Sequence, residues 1–335
     1  RIASKELGIT LTKRGKYMNE DIPMCGVPYH AADSYLSRLI KSGFRVAIAE
    51  QLEIEDKGNL KKPQNKIFPR DVVRIITPGT ILEEQLLESH NNNYLLSIHS
   101  SKGMYAISWV DITTGNFRVK KLDPKNITTE LNENLFKIDP KEIMLSERTR
   151  DNVLIAEQVD EWSKYLTVLP ESYFDEHSNL EKIKDAFKTK NIKSLGEFSP
   201  VEVYCLGALL GYIKSTQKEN MPEFMNLKFE NKNDIMLVDK ISTQSLEIFN
   251  RFNGEKKGSL LDVLDNTITP GGGRLLKDQL KQPLLDINKI NERLNLVEKL
   301  FDDEYLTEEV RNNLKGHTDI ERSLTRISAK LTNPR

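Results

Sequence analysis

The sequence is poor in cysteine, since Cys25 and Cys205 are the only two in 335 residues. They lie far apart and neither belongs to a CxxC pair, so the sequence indicates neither a disulfide framework nor a cysteine-based metal or redox site. Such cysteine usage is typical of a reducing compartment. We therefore expect a cytoplasmic protein.

Long apolar runs, metal-binding histidine patterns and a phosphate loop are lacking as well. No apolar stretch approaches the roughly 18 to 20 residues that a membrane span requires, so no membrane partner is expected. The five histidines form no HxxxH pair, which argues against a metal site. No GxxxxGK(S/T) sequence occurs, so we expect neither a cofactor nor catalytic residues in this chain.

Length and charge distribution indicate several units. A chain of 335 residues exceeds the roughly 100 to 200 residues of a typical domain, so two or three domains are expected. The net charge is -1, yet residues 1–80 hold fourteen Lys or Arg against nine Asp or Glu. Residues 57–74 concentrate six of these cations, which suit either a phosphate-following segment or a solvated loop. They are Lys57, Lys61, Lys62, Lys66, Arg70 and Arg74.

Residues 1–80 are predicted to form a mixed α/β unit. Ile9 and Leu11 alternate as in a short strand, and residues 31–42 carry an apolar helical face that ends before Gly43. Further strands are predicted at residues 44–48 and 72–77.

The same unit contains a predicted basic turn, in which Lys13, Arg14 and Lys16 surround Gly15. On its own such a turn is an ordinary solvated feature. A loop containing Pro23 and Met24 follows it, and together they could position a duplex backbone.

Residues 88–222 are predicted to form a mixed sheet with covering helices. Three consecutive strands are joined by turn sequences, and helices alternate with strands after them. The predicted strands cover residues 94–99, 104–112, 116–121, 142–146 and 166–169, with helices over 128–137 and 200–217. Gly207 and Gly211 lie one turn apart on the last helix and indicate close packing on the sheet.

Residues 233–335 are predicted to be mainly helical after two short strands at 235–238 and 246–249. Helix starts are indicated at Thr269-Pro270, at Asp286 and at a capping box that begins with Thr318. Apolar stripes follow the last two starts, and each stripe needs a partner.

Two features of the chain allow a catalytic or ligand-binding interpretation. Gly271-Gly272-Gly273 looks like a phosphate loop but follows Pro270 rather than a buried strand, so a close backbone approach at a helix start fits better. Asp111 ends a predicted strand, where ribonuclease H-like nucleases hold a metal ion. A turn-capping role is the alternative for Asp111.

Several blocks of the sequence together resemble the MutS family of DNA mismatch repair proteins, in the family's order. Residues 10–17, Thr-Leu-Thr-Lys-Arg-Gly-Lys-Tyr, and 22–30, Ile-Pro-Met-Cys-Gly-Val-Pro-Tyr-His, carry most of the likeness. Further blocks lie at residues 45–51, 72–80, 111–117, 258–265, 269–277 and 319–322.

The resemblance implies a mixed α/β multidomain protein. Its units would be a partial α/β mismatch-recognition domain at 1–80, a ribonuclease H-like α/β connector domain at 88–222, and the start of an α-helical core at 233–335. The family's Phe-x-Glu wedge is expected before Arg1, and its clamp and ATPase domain, with ATP and Mg, after Arg335. Residues 10–30 would then be the scaffold beside that wedge.

The resemblance also implies function and partners. The parent would be a homodimer that binds duplex DNA with mispairs or small loops, couples recognition to ATP and recruits a MutL-type repair partner. Lys13, Arg14, Pro23 and Met24 are the candidate DNA-binding residues. A metal-dependent nuclease using Asp111 and a pure protein-interaction scaffold remain as alternatives.

Overall fold

The first unit contains two small sheets and two helices in the computed structural model, which describes residues 1–51, 69–224, 226–230, 235–236 and 238–331. Antiparallel strands β1 and β2 form one sheet, and antiparallel strands β3 and β4 form the other. Its elements are α1 Ile2–Leu7, β1 Thr12–Tyr17, β2 Glu20–Met24, α2 Ala32–Lys41, β3 Val46–Gln51 and β4 Arg70–Ile76.

The core of this unit is small and lies between α2 and the second sheet. Ile40, Ile76 and Ile81 are its buried members. Helix α2 follows the predicted apolar face, and Gly43, with φ of 84°, takes the left-handed conformation that ends it. The predicted strand through Ile9 and Leu11 is wrong, because these residues form the link between α1 and β1.

A six-stranded sheet forms the second unit, in the order β10-β7-β6-β5-β8-β9. Strands β5, β6 and β7 are antiparallel neighbours, whereas β8 runs parallel to β5, β9 to β8 and β10 to β7. The strands are β5 Tyr94–Ser101, β6 Met104–Asp111, β7 Asn116–Leu122, β8 Glu142–Ser146, β9 Leu166–Leu169 and β10 Asn226–Phe229. The first five confirm the predicted strands, while β10 was missed in a polar stretch.

Helices cover both faces of this sheet and enclose two cores. One core includes Phe117, Leu206 and Leu209, beneath α6 and α7. The other includes Trp109 and Leu131, beneath α3 and α5. The helices of this unit are α3 Ile127–Ile138, α4 Glu147–Arg150, α5 Val153–Val159, α6 Glu176–Ala186 and α7 Pro200–Gln217.

Helix α7 begins at the predicted capping box, in which the Ser199 N–H donates to Glu202 Oε2 at 2.8 Å. The close approach predicted for Gly207 exists, but its partner is α6 rather than the sheet. A Cβ added at Gly207 would lie 2.3 Å from Asn179 Cβ, whereas one at Gly211 would meet only the end of Lys182, 3.3 Å from Nζ.

The third unit is helical over the residues described. Its helices are α8 Lys240–Ser245, α9 Leu260–Leu264, α10 Pro270–Lys281, α11 Ile287–Asp302, α12 Glu304–Leu314 and α13 Ile320–Ser328. The strand predicted at 246–249 is wrong, since these residues form turns and bends, and Ile235 makes only an isolated bridge to Leu284. Asp319, not Thr318, caps α13 by accepting from the Arg322 N–H.

Glu142, at the start of β8, links the first unit to the sheet. Its buried carboxylate accepts hydrogen bonds from Thr77 Oγ1 at 2.5 Å, from the Gly79 N–H at 3.1 Å, and from Thr167 Oγ1 and the Tyr212 hydroxyl at 2.6 Å each. These donors belong to the segment after β4, to β9 and to α7. Three parts of the chain therefore converge on one carboxylate.

The two helical glycines give a prediction with an internal control. We expect Gly207→Ala to lower the free energy of unfolding by about 1 to 3 kcal/mol, because the added methyl group overlaps Asn179. Gly211→Ala should leave it unchanged or raise it by up to about 1 kcal/mol, since alanine favours helix and the Lys182 end can move. Urea unfolding followed by circular dichroism measures both, and an equal effect of the two substitutions would contradict this packing.

Candidate nucleic-acid interface

The four predicted DNA-binding residues lie together on the β1–β2 hairpin. Lys13 stands directly opposite Pro23, and Thr12 is opposite Met24, whose carbonyl accepts a hydrogen bond from Thr12 Oγ1 at 2.9 Å. Every residue of both strands is exposed. The hairpin is therefore a projecting, two-stranded surface.

Its turn, at Met18 and Asn19, lies three to four residues beyond Gly15, where the sequence suggested it. Met18 and Asn19 both have positive φ, 48° and 64°, which is the backbone of a two-residue hairpin turn. Gly15, also at positive φ, instead lies where the strand register shifts between Lys13 and Lys16. The predicted basic turn is thus a bulged basic strand.

The cations of this hairpin differ in their pairing. Lys13 Nζ lies 2.8 Å from Asp21 Oδ2, so part of its charge is already neutralised. Within the described ranges, no carboxylate forms an ion pair with Arg14 or Lys16, which leaves both cations available to an anionic partner.

Exposed apolar groups accompany these cations near the hairpin tip and beside it. Tyr17, Met18 and Tyr29 expose 68%, 83% and 97% of their surface. These residues were not among the predicted DNA contacts. The sequence signal that could have found them is an aromatic side chain beside an Asn, a residue that favours turns, within a polar strand. Exposed aromatic and apolar side chains beside cations are suited to contact sugar and base surfaces.

The basic segment predicted at 57–74 lies largely outside the described residues. This applies to Lys57, Lys61, Lys62 and Lys66. Arg70 is exposed at the start of β4, whereas Arg74 is buried and paired with Glu83. Arg74 is therefore a structural cation rather than a phosphate contact.

Asp111 acts as a turn cap at the end of β6. Its Oδ1 accepts from the Thr113 N–H at 2.9 Å and from Thr113 Oγ1 at 2.6 Å, and its Oδ2 accepts from the Asn93 N–H at 2.9 Å. Burial raises the pKa of this carboxyl, while these hydrogen bonds and the Arg322 charge, 4.0 Å away, oppose the rise. Over the described ranges, no three His, Cys, Asp or Glu side chains are grouped to hold a metal ion.

Two buried arginines fasten the third unit to the turn at residues 88–91, which precedes β5. Arg322 of α13 donates to the carbonyls of Glu88 at 3.1 Å and Asn91 at 2.6 Å. Arg274 of α10 donates to the Ser89 carbonyl at 3.1 Å and forms a two-pronged ion pair with Asp319 at 2.5 and 2.9 Å.

The triglycine before Arg274 serves the same junction. A Cβ at Gly273 would lie 2.4 Å from His90 Nδ1, so only glycine allows α10 to approach the turn this closely. This agrees with the helix-start interpretation of the triglycine.

The three units define a mixed α/β protein whose first unit carries a basic hairpin and whose third unit is helical over the residues described. Residues 1–85 match MutS domain I, residues 93–225 match MutS domain II and residues 242–335 match MutS domain III. In the described part of the chain, no helix has the length and apolar character to cross a bilayer.

Curated relatives agree with these matches. The chain is 39% identical to DNA mismatch repair protein MutS of Wolbachia pipientis wMel, over 97% of its own length and 38% of that protein. It is also 39% identical to the proteins of that name from Ehrlichia chaffeensis and Rickettsia canadensis, and it covers 40% and 36% of their lengths. The chain therefore belongs to the MutS family and spans about two fifths of these relatives.

Asp111→Asn tests the structural role of this carboxylate. Asparagine would place an amide donor against either the Asn93 or the Thr113 donor and remove one of the two buried counter-charges of Arg322, leaving only Asp319. We expect the free energy of unfolding to fall by about 2 to 4 kcal/mol. Asp175→Asn is the control, because Asp175 caps α6 at the surface and asparagine caps equally well.

Urea unfolding measures the stability of both variants. Cleavage of branched or hybrid nucleic acid in the presence of Mg²⁺ or Mn²⁺ is the second measurement. If the wild-type chain cleaves and Asp111→Asn does not, the structural role is contradicted and the nuclease alternative is favoured.

Proposed function

We propose that this chain contributes the recognition and connector parts of a DNA mismatch repair protein, and that the β1–β2 hairpin contacts the duplex backbone. The observation that carries the proposal is the exposed strand pair in which Arg14 and Lys16 lack carboxylate partners among the described residues. Membership of the MutS family, together with the similarity to DNA mismatch repair proteins over nearly the whole chain, supports the repair assignment.

The hairpin supports backbone contact rather than base reading. Lys13, Arg14 and Lys16 supply charge for phosphates, while Met24 at the end of β2 and Tyr17 near the turn supply apolar surface. Phosphate contacts position a protein on DNA without reading its sequence. Residues 1–80 contain no Phe-x-Glu sequence, so we propose duplex binding without mismatch discrimination by the chain itself.

The proposed role of the second unit is to connect. We propose that it has a ribonuclease H-like fold without nuclease function. Its three antiparallel strands followed by two parallel strands, with helices on both faces, support that fold. The carboxylate that a nuclease would use is enclosed by Thr113, Asn93 and Arg322.

For the whole protein, we propose a homodimer that couples mismatch recognition to ATP and Mg and recruits a MutL-type partner. Family membership is the support for this proposal. The 335 residues contain no GxxxxGK(S/T) loop, so the proposed ATP chemistry belongs to other parts of such a protein.

Duplex binding by the full 335-residue chain tests the hairpin. We expect weak binding whose affinity falls as salt rises, and Lys13→Ala/Arg14→Ala should reduce the slope of log K against log salt by about 1 to 2, because up to two phosphate contacts are lost. Fluorescence anisotropy with a labelled duplex between 50 and 200 mM KCl, values typical for such titrations, measures the slope.

Lys184→Ala/Lys188→Ala provides the matched control. Both lysines lie on the connector surface and pair with Glu181 and Glu223. Equal losses in the two double variants would contradict a hairpin interface, and salt-independent binding would favour a pure protein scaffold. A clear preference for a G·T mispair over matched duplex would contradict binding without discrimination.

A further inference from the structure

A cavity of about 550 Å³ lies between the second and third units, away from the hairpin. Its walls come from the C-terminal end of α3, from the last turn and a half of α10 and from residues 243–254. This volume is within the range of small-molecule sites, roughly 300 to 1,000 Å³.

The described lining of the cavity is strongly cationic. Lys137, Arg251, Lys277 and Lys281 face one carboxylate, Asp139. Asp139 Oδ2 already lies 2.9 Å from Lys141 Nζ, so its charge is shared with a cation outside the lining. The lining therefore carries an excess of positive charge.

Three of these cations, Arg251, Lys277 and Lys281, have no carboxylate in ion-pair contact among the described residues. Lys137 is paired, since its Nζ lies 3.0 Å from Glu230. Lys277 Nζ instead donates to the neutral Asn91 Oδ1 at 2.5 Å, and Lys281 Nζ lies 6.0 Å from the centre of the Phe249 ring. Because Lys277 and Lys281 are four residues apart on α10, their side chains project from the same face.

Desolvation makes this arrangement costly without an anion. Burial lowers the pKa of Lys281 to about 8 and also lowers that of Lys277, while Asp139 and Asp278 partly oppose both shifts. The Asp278 carboxylate is itself engaged, 3.3 Å from Asn92 Nδ2. An anion in the cavity would restore the counter-charge that these ammonium groups lack.

Aromatic rings supply the remaining walls. Phe136, Trp162 and Phe249 are partly buried and Phe252 exposes 81% of its surface at the rim. Aromatic faces beside cations favour a ligand that combines a phosphate with a flat, unsaturated ring system, because stacking accepts any nucleobase.

We propose that this cavity binds a nucleotide, with its phosphate against Lys277 and Lys281 and its base against Phe249 and Trp162. A free mononucleotide and a nucleotide within a single strand share this chemistry. The site is independent of the hairpin and of the proposed repair function.

Trp162 offers a direct readout with adenosine 5′-monophosphate as the probe. The chain has two tryptophans, and the other, Trp109, is buried in the second unit's core with 2% exposure. We expect the mononucleotide to quench Trp162 fluorescence saturably, and Trp162→Phe to abolish the quenching. Isothermal titration gives the affinity without relying on fluorescence.

Variants separate the charge from the rings. Lys277→Gln/Lys281→Gln should weaken mononucleotide binding by at least about tenfold, the effect of losing charge-assisted bonds to phosphate. Lys281→Arg should retain most of the wild-type affinity for the mononucleotide. Phe249→Leu should weaken binding of the mononucleotide but not of inorganic phosphate. Lys299→Gln, on exposed α11, is the matched control and should bind as the wild type does.

Two further arms define the ligand. Adenosine, which lacks the phosphate, should bind much more weakly than the mononucleotide. A single-stranded dT oligomer that competes with the mononucleotide indicates a strand as the natural source, and failure to compete indicates a free nucleotide. The proposal is overturned if the wild-type chain does not bind the mononucleotide at about 10 mM, roughly the weakest affinity of interest. Equal binding by a folded Lys277→Gln/Lys281→Gln variant would also overturn it.

Discussion

A buried carboxylate must be supplied with hydrogen-bond donors, and Glu142 organises the centre of this molecule for that reason. It exposes 2% of its surface and receives donors from the segment after β4, from β9 and from α7. None of these donors is close to Glu142 in the sequence, so the carboxylate is satisfied only when the first unit is docked on the sheet and α7 lies across it. Burial and the Glu142 charge raise the pKa of Tyr212, which keeps its hydroxyl as a donor.

The junction between the third unit and the turn at residues 88–91 is held by buried cations instead. Arg274 and Arg322 are buried, and both donate to carbonyls of the turn at 88–91, while Asp111 and Asp319 supply the counter-charge. These residues come from three separate sequence blocks that carry the family likeness. These three blocks therefore hold the units together. The blocks at residues 10–17 and 22–30 instead form the exposed hairpin.

The sequence predicted elements wherever several local signals agreed. The strands around Lys102-Gly103 and the helix opened by Ser199-Pro200 are examples, since turn or cap chemistry coincided with periodicity. It failed at residues 9–11 and 246–249, because short apolar alternation without caps does not distinguish strands from links. The hairpin residues were predicted, but their turn was misplaced. The cavity between α3 and α10 could not be foreseen, since about 140 residues separate its lysines and only tertiary packing brings them together.

The exposed basic hairpin of the first unit is thus distinct from the two junctions, where buried charges hold the units together. The proposed duplex contact of the hairpin is the central claim, because it assigns duplex binding to this surface rather than to the surface lysines of the second unit. Lysine acylation with and without saturating duplex DNA, read by mass spectrometry, tests it most directly. We expect Lys13 and Lys16 to become protected while Lys184 and Lys188 react unchanged. Protection confined to the connector lysines, with Lys13 and Lys16 unaffected, would contradict it.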